Sequence, residues 1–85
     1  MQPVRVLVVD DSRCARELIR ALIEAEPGLS VCGEAANGRE AVEKTLALKP
    51  DIVTMDLQMP EMDGMQAIEE IMAQQAVPIL VLSDV

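Results

Sequence analysis

Four side chains capable of chemistry each follow a short apolar run: Asp10, Asp11, Asp56 and Ser83. If those runs are parallel strands, the residues after them meet at one edge of the sheet, so we expect three carboxylates and a hydroxyl to converge. Like charges held together raise one another's pKa values, and a hard divalent cation with oxygen ligands relieves the repulsion. The sequence therefore predicts a Mg²⁺ site at this edge.

A carboxylate beside Mg²⁺ can act as a nucleophile toward phosphorus, because the ion neutralises charge on the transferring phosphoryl group. An aspartyl phosphate is the natural product of that reaction. A single aspartate after a strand more often caps a helix or ends the strand. The combination of three aspartates and a hydroxyl favours the chemical interpretation.

Strands and helices alternate along the chain. Short apolar runs predict strands at 4–9, 51–55 and 78–82, and residues 29–35 are interpreted as a further strand. Apolar spacing of three and four predicts a helix between Ser12 and Pro27, one at 40–48 and one after Gly64. The residues predicted to face inward are Ala15, Leu18, Ile19, Leu22 and Ile23 in the first helix, Ala41, Val42 and Leu46 in the second, and Met65, Ile68, Ile71 and Met72 in the third. This order indicates an α/β fold, a doubly wound parallel sheet with helices on both faces.

Composition excludes several function classes. The formal net charge of −8 and the isoelectric point near 4.3 argue against nucleic acid or an anionic membrane as a partner. No apolar stretch approaches the ~20 residues of a membrane span. Cys14 and Cys32 lack metal-ligand spacing and the chain has no His, so we expect both thiols to be reduced and buried in a cytoplasmic protein.

Four segments of the sequence together resemble a known protein family. The segments that carry the resemblance are Val8-Val9-Asp10-Asp11-Ser12, Met55-Asp56, Met59-Pro60-Glu61-Met62-Asp63-Gly64 and Ser83. They are similar to the response-regulator receiver domains of bacterial two-component signalling, which have a flavodoxin-like fold. Asp56 followed by Met-Pro-x-Met-Asp-Gly is the most specific of these signals. The segment 76–83 also resembles the receivers of chemotaxis protein-glutamate methylesterases.

The resemblance implies a role for each matching residue. Asp56 would be the phosphoacceptor, and Asp11 and Asp56 would bind Mg²⁺ together with the backbone carbonyl of Gln58. Asp10 would hold the metal through water, and Ser83 would be the switch hydroxyl. The implied partners are a histidine kinase as phosphoryl donor and an attached effector, a methylesterase domain. This segment has no His, so it cannot itself contain a Ser-His-Asp set.

A complete receiver continues through a fourth helix, a fifth strand and a fifth helix, whereas the sequence ends at Val85. We therefore expect residues 1–85 to be a partial receiver domain, truncated after the fourth strand and cut from a longer protein. Neither Lys44 nor Lys49 matches the lysine that the family places after the fifth strand. An open fourth-strand edge would also favour self-association.

Two other function classes stay open. One is a degenerate receiver that no longer switches and acts as a docking or dimerisation module. The other is a phosphatase with an Asp nucleophile, although such enzymes need a second carboxylate two residues later, where this chain has Gln58. A dinucleotide-binding role is disfavoured because no glycine-rich loop follows the first strand.

Overall fold

A computed structural model describes residues 2–56, 64–74 and 76–82 of the chain. Strands and helices alternate throughout this part, and their bounds, in chain order, are β1 (Val4–Val9), α1 (Arg13–Glu24), β2 (Leu29–Ala35), α2 (Gly38–Leu48), β3 (Ile52–Asp56), α3 (Gly64–Gln74) and β4 (Ile79–Leu82).

The four strands form one parallel sheet in the order β2-β1-β3-β4. After β1 the chain forms β2 on one side and then crosses to form β3 on the other side of β1. The carboxyl ends of β1 and β3 therefore flank the point where the strand order reverses, which is where ligands bind in doubly wound sheets. The predicted fold class is confirmed, with helices on both faces of the sheet.

Side-chain caps fix the starts of the first two helices. The Ser12 hydroxyl accepts a hydrogen bond from the Ala15 amide at 3.2 Å, which confirms the predicted start of α1. The Asn37 carboxamide accepts from the Glu40 amide at 2.8 Å, so α2 begins at Gly38, two residues earlier than the sequence pattern predicted. Among the helices that the structure describes, none has the length and apolar character that a membrane crossing requires.

The hydrophobic core lies between the sheet and the face formed by α2 and α3. Alternate residues of the central strands point into it, and alanines on the two helices allow close approach. Its buried members are Leu7, Val9, Ala35, Ala41, Val42, Val53, Met55, Ala67, Ile71 and Val77. Thr45 is also completely buried here, where its hydroxyl donates to the Ala41 carbonyl at 2.6 Å.

Several predicted inward-facing residues are exposed. Leu18 and Leu22 of α1 are 63% and 62% exposed, because only part of the α1 side of the sheet is covered by described residues. In α2, Thr45 faces inward and Leu46 is exposed. In α3 the buried positions are Ala67 and Ile71, which leaves the flanking methionines Met65 and Met72 about half exposed. The prediction was therefore wrong for the five exposed residues, which are Leu18, Leu22, Leu46, Met65 and Met72.

The two cysteines are unpaired, as predicted, but the expectation that both are buried is wrong for Cys14. Cys14 lies in the first turn of α1 on its exposed side, whereas Cys32 is half-buried in β2 and packs against the core.

Candidate metal centre at the carboxyl edge of the sheet

Three aspartates converge at the carboxyl ends of the two central strands. Asp10 and Asp11 directly follow β1, and Asp56 is the last residue of β3, the strand that pairs with β1 in register. One carboxylate oxygen from each of the three residues lies within 4.8 Å of the others. The predicted convergence of the three carboxylates is thus present in the structure. Gln58 and Ser83, the other two predicted site residues, lie outside the described residues.

The environment of the cluster differs from one carboxylate to the next. Asp10 and Asp56 are half-buried and Asp11 is exposed. Partial burial is the main cause that raises the pKa of Asp10 above its ordinary value, and the negative charges of Asp56 and Asp11 raise it further. A hydrogen bond from the Ser12 amide to Asp10 Oδ1, 2.9 Å long, works in the opposite direction. The charged form of Asp10 is therefore disfavoured at this position, and a cation bound nearby would favour it.

This donor set fits Mg²⁺. Carboxylate oxygens are hard ligands, and Mg²⁺ is usually held by one or two carboxylates while it keeps several water molecules. The exposed position of Asp11 leaves one side of the cluster open to water and to a phosphoryl group. No nitrogen or sulfur ligand belongs to the cluster among the described residues.

An open pocket of about 480 Å³ adjoins the cluster on the α1 side of the sheet. One end of it is acidic and the other is apolar, and its lining residues are Asp10, Ala15, Leu18, Ile19, Asp56, Val81 and Leu82. The carboxylates Asp10 and Asp56 are thus accessible from a concave surface between α1 and β4. A small solute can therefore reach Asp56 from this side.

An arginine that the sequence patterns did not single out contacts the same loop. Arg16 Nη1 donates to the backbone carbonyl of Asp10 at 2.8 Å, and Arg16 Nε donates to Glu34 on β2 at 3.1 Å. Glu34 also accepts from Arg20 Nη1 at 2.8 Å. The hydrogen bond from Arg20 is the main cause that lowers the pKa of Glu34 below its ordinary value, ahead of the bond from Arg16. No local sequence signal marks Arg16, because Glu34 becomes its neighbour only when β1 and β2 pair.

Comparisons with known proteins agree with this geometry. The family model described as response regulator receiver domain matches residues 6–85, so the chain belongs to the response-regulator receiver family. The response regulator domain of Thermotoga maritima CheB superposes with a TM-score of 0.95 at 41% identity, over 96% of this chain and 61% of that one. The Borrelia burgdorferi CheX-CheY-BeF3-Mg²⁺ complex includes a similar chain, with a TM-score of 0.89, 33% identity and 99% and 64% coverage.

Within the family, the chain is most like the receiver domains of chemotaxis methylesterases. It is 55% identical over 80 residues to a protein-glutamate methylesterase/protein-glutamine glutaminase of Alkalilimnicola ehrlichii, which covers 94% of this chain and 20% of that protein. A relative of the same name from Paramagnetospirillum magneticum is 56% identical over 82 residues, covering 96% and 23%. The chain thus spans about a fifth of the length of these curated relatives.

Proposed function

We propose that this chain accepts a phosphoryl group on Asp56 from a histidine kinase, in the presence of Mg²⁺, and that its phosphorylation state regulates an attached effector. The observation that carries the proposal is the convergence of three carboxylates from the ends of β1 and β3. Membership of the receiver family supports it, because phosphoryl transfer to an aspartate is the activity of that family.

Each residue has a distinct role in this proposal. Asp11 and Asp56 would bind Mg²⁺ directly with the backbone carbonyl of Gln58, and Asp10 would hold the ion through water. Bound Mg²⁺ supplies positive charge next to the transferring phosphoryl oxygens. Ser83 donates to a phosphoryl oxygen on Asp56 and draws the loop after β4 inward, which shifts a two-state equilibrium.

The transfer itself is a substitution at phosphorus. A carboxylate oxygen of Asp56 attacks the phosphorus atom as the bond from phosphorus to the donor's leaving atom breaks, and that leaving atom keeps the electron pair. With a phosphohistidine donor the leaving atom is an imidazole nitrogen. Asp56 ends a strand that is paired on both sides, so the backbone that carries its carboxylate has a defined position.

The domain boundaries and the effector are part of the same proposal. Residues 1–85 form the first four strands and three helices of a receiver that belongs to a longer cytoplasmic protein. The effector is a protein-glutamate methylesterase domain, because the relatives that share about half of the residues carry that name and are about five times longer. Under this proposal phosphorylation of the receiver controls hydrolysis by the effector.

Intact mass spectrometry tests the phosphoacceptor. The chain is incubated with Mg²⁺ and acetyl phosphate, and we expect one added phosphoryl group, which hydroxylamine removes because it cleaves acyl phosphates. Asp56→Asn is expected to abolish the addition. Asp51→Asn is the matched control, because Asp51 precedes β3 at the opposite edge of the sheet, where its carboxylate accepts from the Arg5 amide at 2.8 Å. Equal labelling of the unaltered chain and Asp56→Asn would refute the proposal.

A docking or dimerisation module is a second candidate, which the exposure of β4 favours. Leu80, Val81 and Leu82 are 51%, 42% and 37% exposed, and β4 is an edge strand among the described residues. Unpaired edges invite pairing with another chain. Under this candidate, sedimentation equilibrium detects dimers that Leu80→Lys dissociates, whereas Leu22→Lys on exposed α1 leaves them intact.

A further inference from the structure

The structure assigns Arg16 a positioning role for the acidic cluster: by binding the Asp10 carbonyl and Glu34 together, it orients the Asp10-Asp11 peptide and so sets the affinity for Mg²⁺. This inference rests on the proposed function, which supplies the metal. Arg16 is not itself one of the side chains that would bind the metal. It would act through the backbone to which two of them are attached.

Arg16 contacts the peptide group that joins Asp10 to Asp11, two of the three aspartates of the cluster. The Asp10 amide donates to the Ala35 carbonyl at 3.1 Å, which continues the pairing of β1 with β2. Beyond that bond, Arg16 Nη1 donates to the Asp10 carbonyl at 2.8 Å. Because the peptide unit is planar, fixing this carbonyl also fixes the direction in which Asp11 leaves it.

A second bond holds the guanidinium in place. Arg16 Nε donates to Glu34 Oε1 at 3.1 Å, and the Arg16 side chain is only 16% exposed. Glu34 is itself held from a second side by Arg20, at 2.8 Å, and its backbone carbonyl accepts a hydrogen bond from Lys44. Arg16 is thus a rigid link between β2 and the loop after β1. An arginine suits this link because its planar fork donates in two fixed directions, which a lysine cannot do.

Two possible effects of Arg16 predict opposite changes in Mg²⁺ affinity when its side chain is removed: orientation of the aspartates, and repulsion of the cation by the guanidinium. The guanidinium is a positive charge close to a cation site, so if repulsion were its main effect, removing it would tighten Mg²⁺ binding. If Arg16 orients the aspartates, removing it weakens binding. Partners that orient metal ligands typically change affinity by about 10-fold to 100-fold when they are lost.

The experiment is a Mg²⁺ titration by isothermal calorimetry of the full chain and of Arg16→Met, Arg16→Lys and Arg20→Met. We expect about 10-fold weaker binding for Arg16→Met and a smaller loss for Arg16→Lys, which keeps the charge without the fork. Arg20→Met is the matched control. Arg20 also contacts Glu34, but its side chain is 47% exposed and none of its hydrogen bonds reaches the Asp10-Asp11 loop, so we expect a change below about twofold.

A metal-free readout separates this inference from the proposed function. In ¹⁵N-¹H spectra without Mg²⁺, Arg16→Met should shift and broaden the Asp11 and Ser12 amides, whereas Arg20→Met should leave them in place. Unchanged amides, or unchanged or tighter Mg²⁺ binding in Arg16→Met, would overturn the inference. If the unaltered chain binds no Mg²⁺, its own titration shows that the proposed function fails, and the role of Arg16 in metal affinity fails with it.

Discussion

The two faces of the sheet differ in how they are built. On the α2 and α3 face, alternate residues of the central strands are buried against alanines and Ile71, and the buried Thr45 hydroxyl has a partner. On the α1 face, Leu18 and Leu22 are largely exposed. Asp10 and Asp56 open into the pocket on that face. Strand residues are buried on both faces, and Val6 and Val8 are buried on the α1 side. The comparison teaches that the α1 side differs in leaving helix residues exposed and in holding the pocket that reaches Asp10 and Asp56.

The largest expected effect comes from matched deletions on the two sides. Leu7 is completely buried in the core, so Leu7→Ala should lower the free energy of unfolding by about 3 kcal/mol. Leu22 is 62% exposed, so Leu22→Ala should change it by less than about 0.5 kcal/mol. Urea unfolding followed by far-UV circular dichroism measures both, since the chain has no aromatic residue for fluorescence.

If Leu7→Ala leaves no folded baseline, Ile71→Val in the same core provides a smaller deletion, with an expected loss of about 1 kcal/mol. Equal losses for Leu7→Ala and Leu22→Ala would mean that the α1 side is as well packed as the core, and the contrast between the faces would be wrong.

A second matched pair compares two buried hydroxyls. Thr45 donates to the Ala41 carbonyl, so Thr45→Val should lower the free energy of unfolding by about 1 kcal/mol. Thr54 lies between Val53 and Met55 on β3 and therefore points to the opposite face. It is 5% exposed, and its hydroxyl has no hydrogen-bond partner among the described residues.

Thr54→Val is therefore expected to raise the free energy of unfolding by up to about 1 kcal/mol, because it removes a buried polar group that lacks a partner. The same urea experiment measures both threonine variants. A loss of stability in Thr54→Val equal to that in Thr45→Val would show that the Thr54 hydroxyl is hydrogen-bonded in solution.

The smallest expected effect concerns the charges of the acidic cluster. Asp10→Asn removes one like charge but keeps an oxygen that can accept from the Ser12 amide. In the absence of Mg²⁺ it should raise the free energy of unfolding at pH 7 by no more than about 0.5 kcal/mol, because solvent screens the charges of this partly exposed cluster. The same variant should weaken Mg²⁺ binding, so stability and metal binding should change in opposite directions.

The pH dependence of that effect has a definite sign. The pKa of Asp10 is raised in the folded chain, so its unfavourable charge is present above that pKa and is relieved as the pH falls through it. The advantage of Asp10→Asn over the unaltered chain should therefore be largest near pH 7 and shrink toward pH 4. Urea unfolding at several pH values tests this, and an advantage that grows at low pH would contradict the conclusion that the charge of Asp10 is unfavourable in the folded chain.

The sequence predicted the strands better than it predicted the packing. β1 and β2 have the predicted bounds. For β1 the reason is a β-branched apolar run, which is a local signal. β2 has only one β-branched residue, Val31, and is bounded by the turn residues Gly28 and Asn37. The prediction of which helix residues face inward was less accurate. Periodicity identifies an amphipathic helix, but the neighbouring elements decide which of its apolar residues are covered. α1 shows this most clearly, since its apolar residues Leu18 and Leu22 are exposed.

The acidic cluster followed from the sequence because strand topology alone brings the ends of β1 and β3 together. The role of Arg16 did not, because its partner Glu34 is 18 residues away and becomes a neighbour only when β1 and β2 pair. The roles of Gln58 and Ser83 stay predictions, as both residues lie outside the described part of the chain.

Locating the phosphoryl group tests the central claim most directly. The chain is phosphorylated with acetyl phosphate and Mg²⁺, the acyl phosphate is trapped by borohydride reduction, and peptide sequencing by mass spectrometry identifies the reduced aspartate. Our account predicts reduction at Asp56 alone, with Asp10 and Asp11 unmodified. Reduction at Asp10 or Asp11, or none at Asp56, would contradict the assignment of Asp56 as the nucleophile.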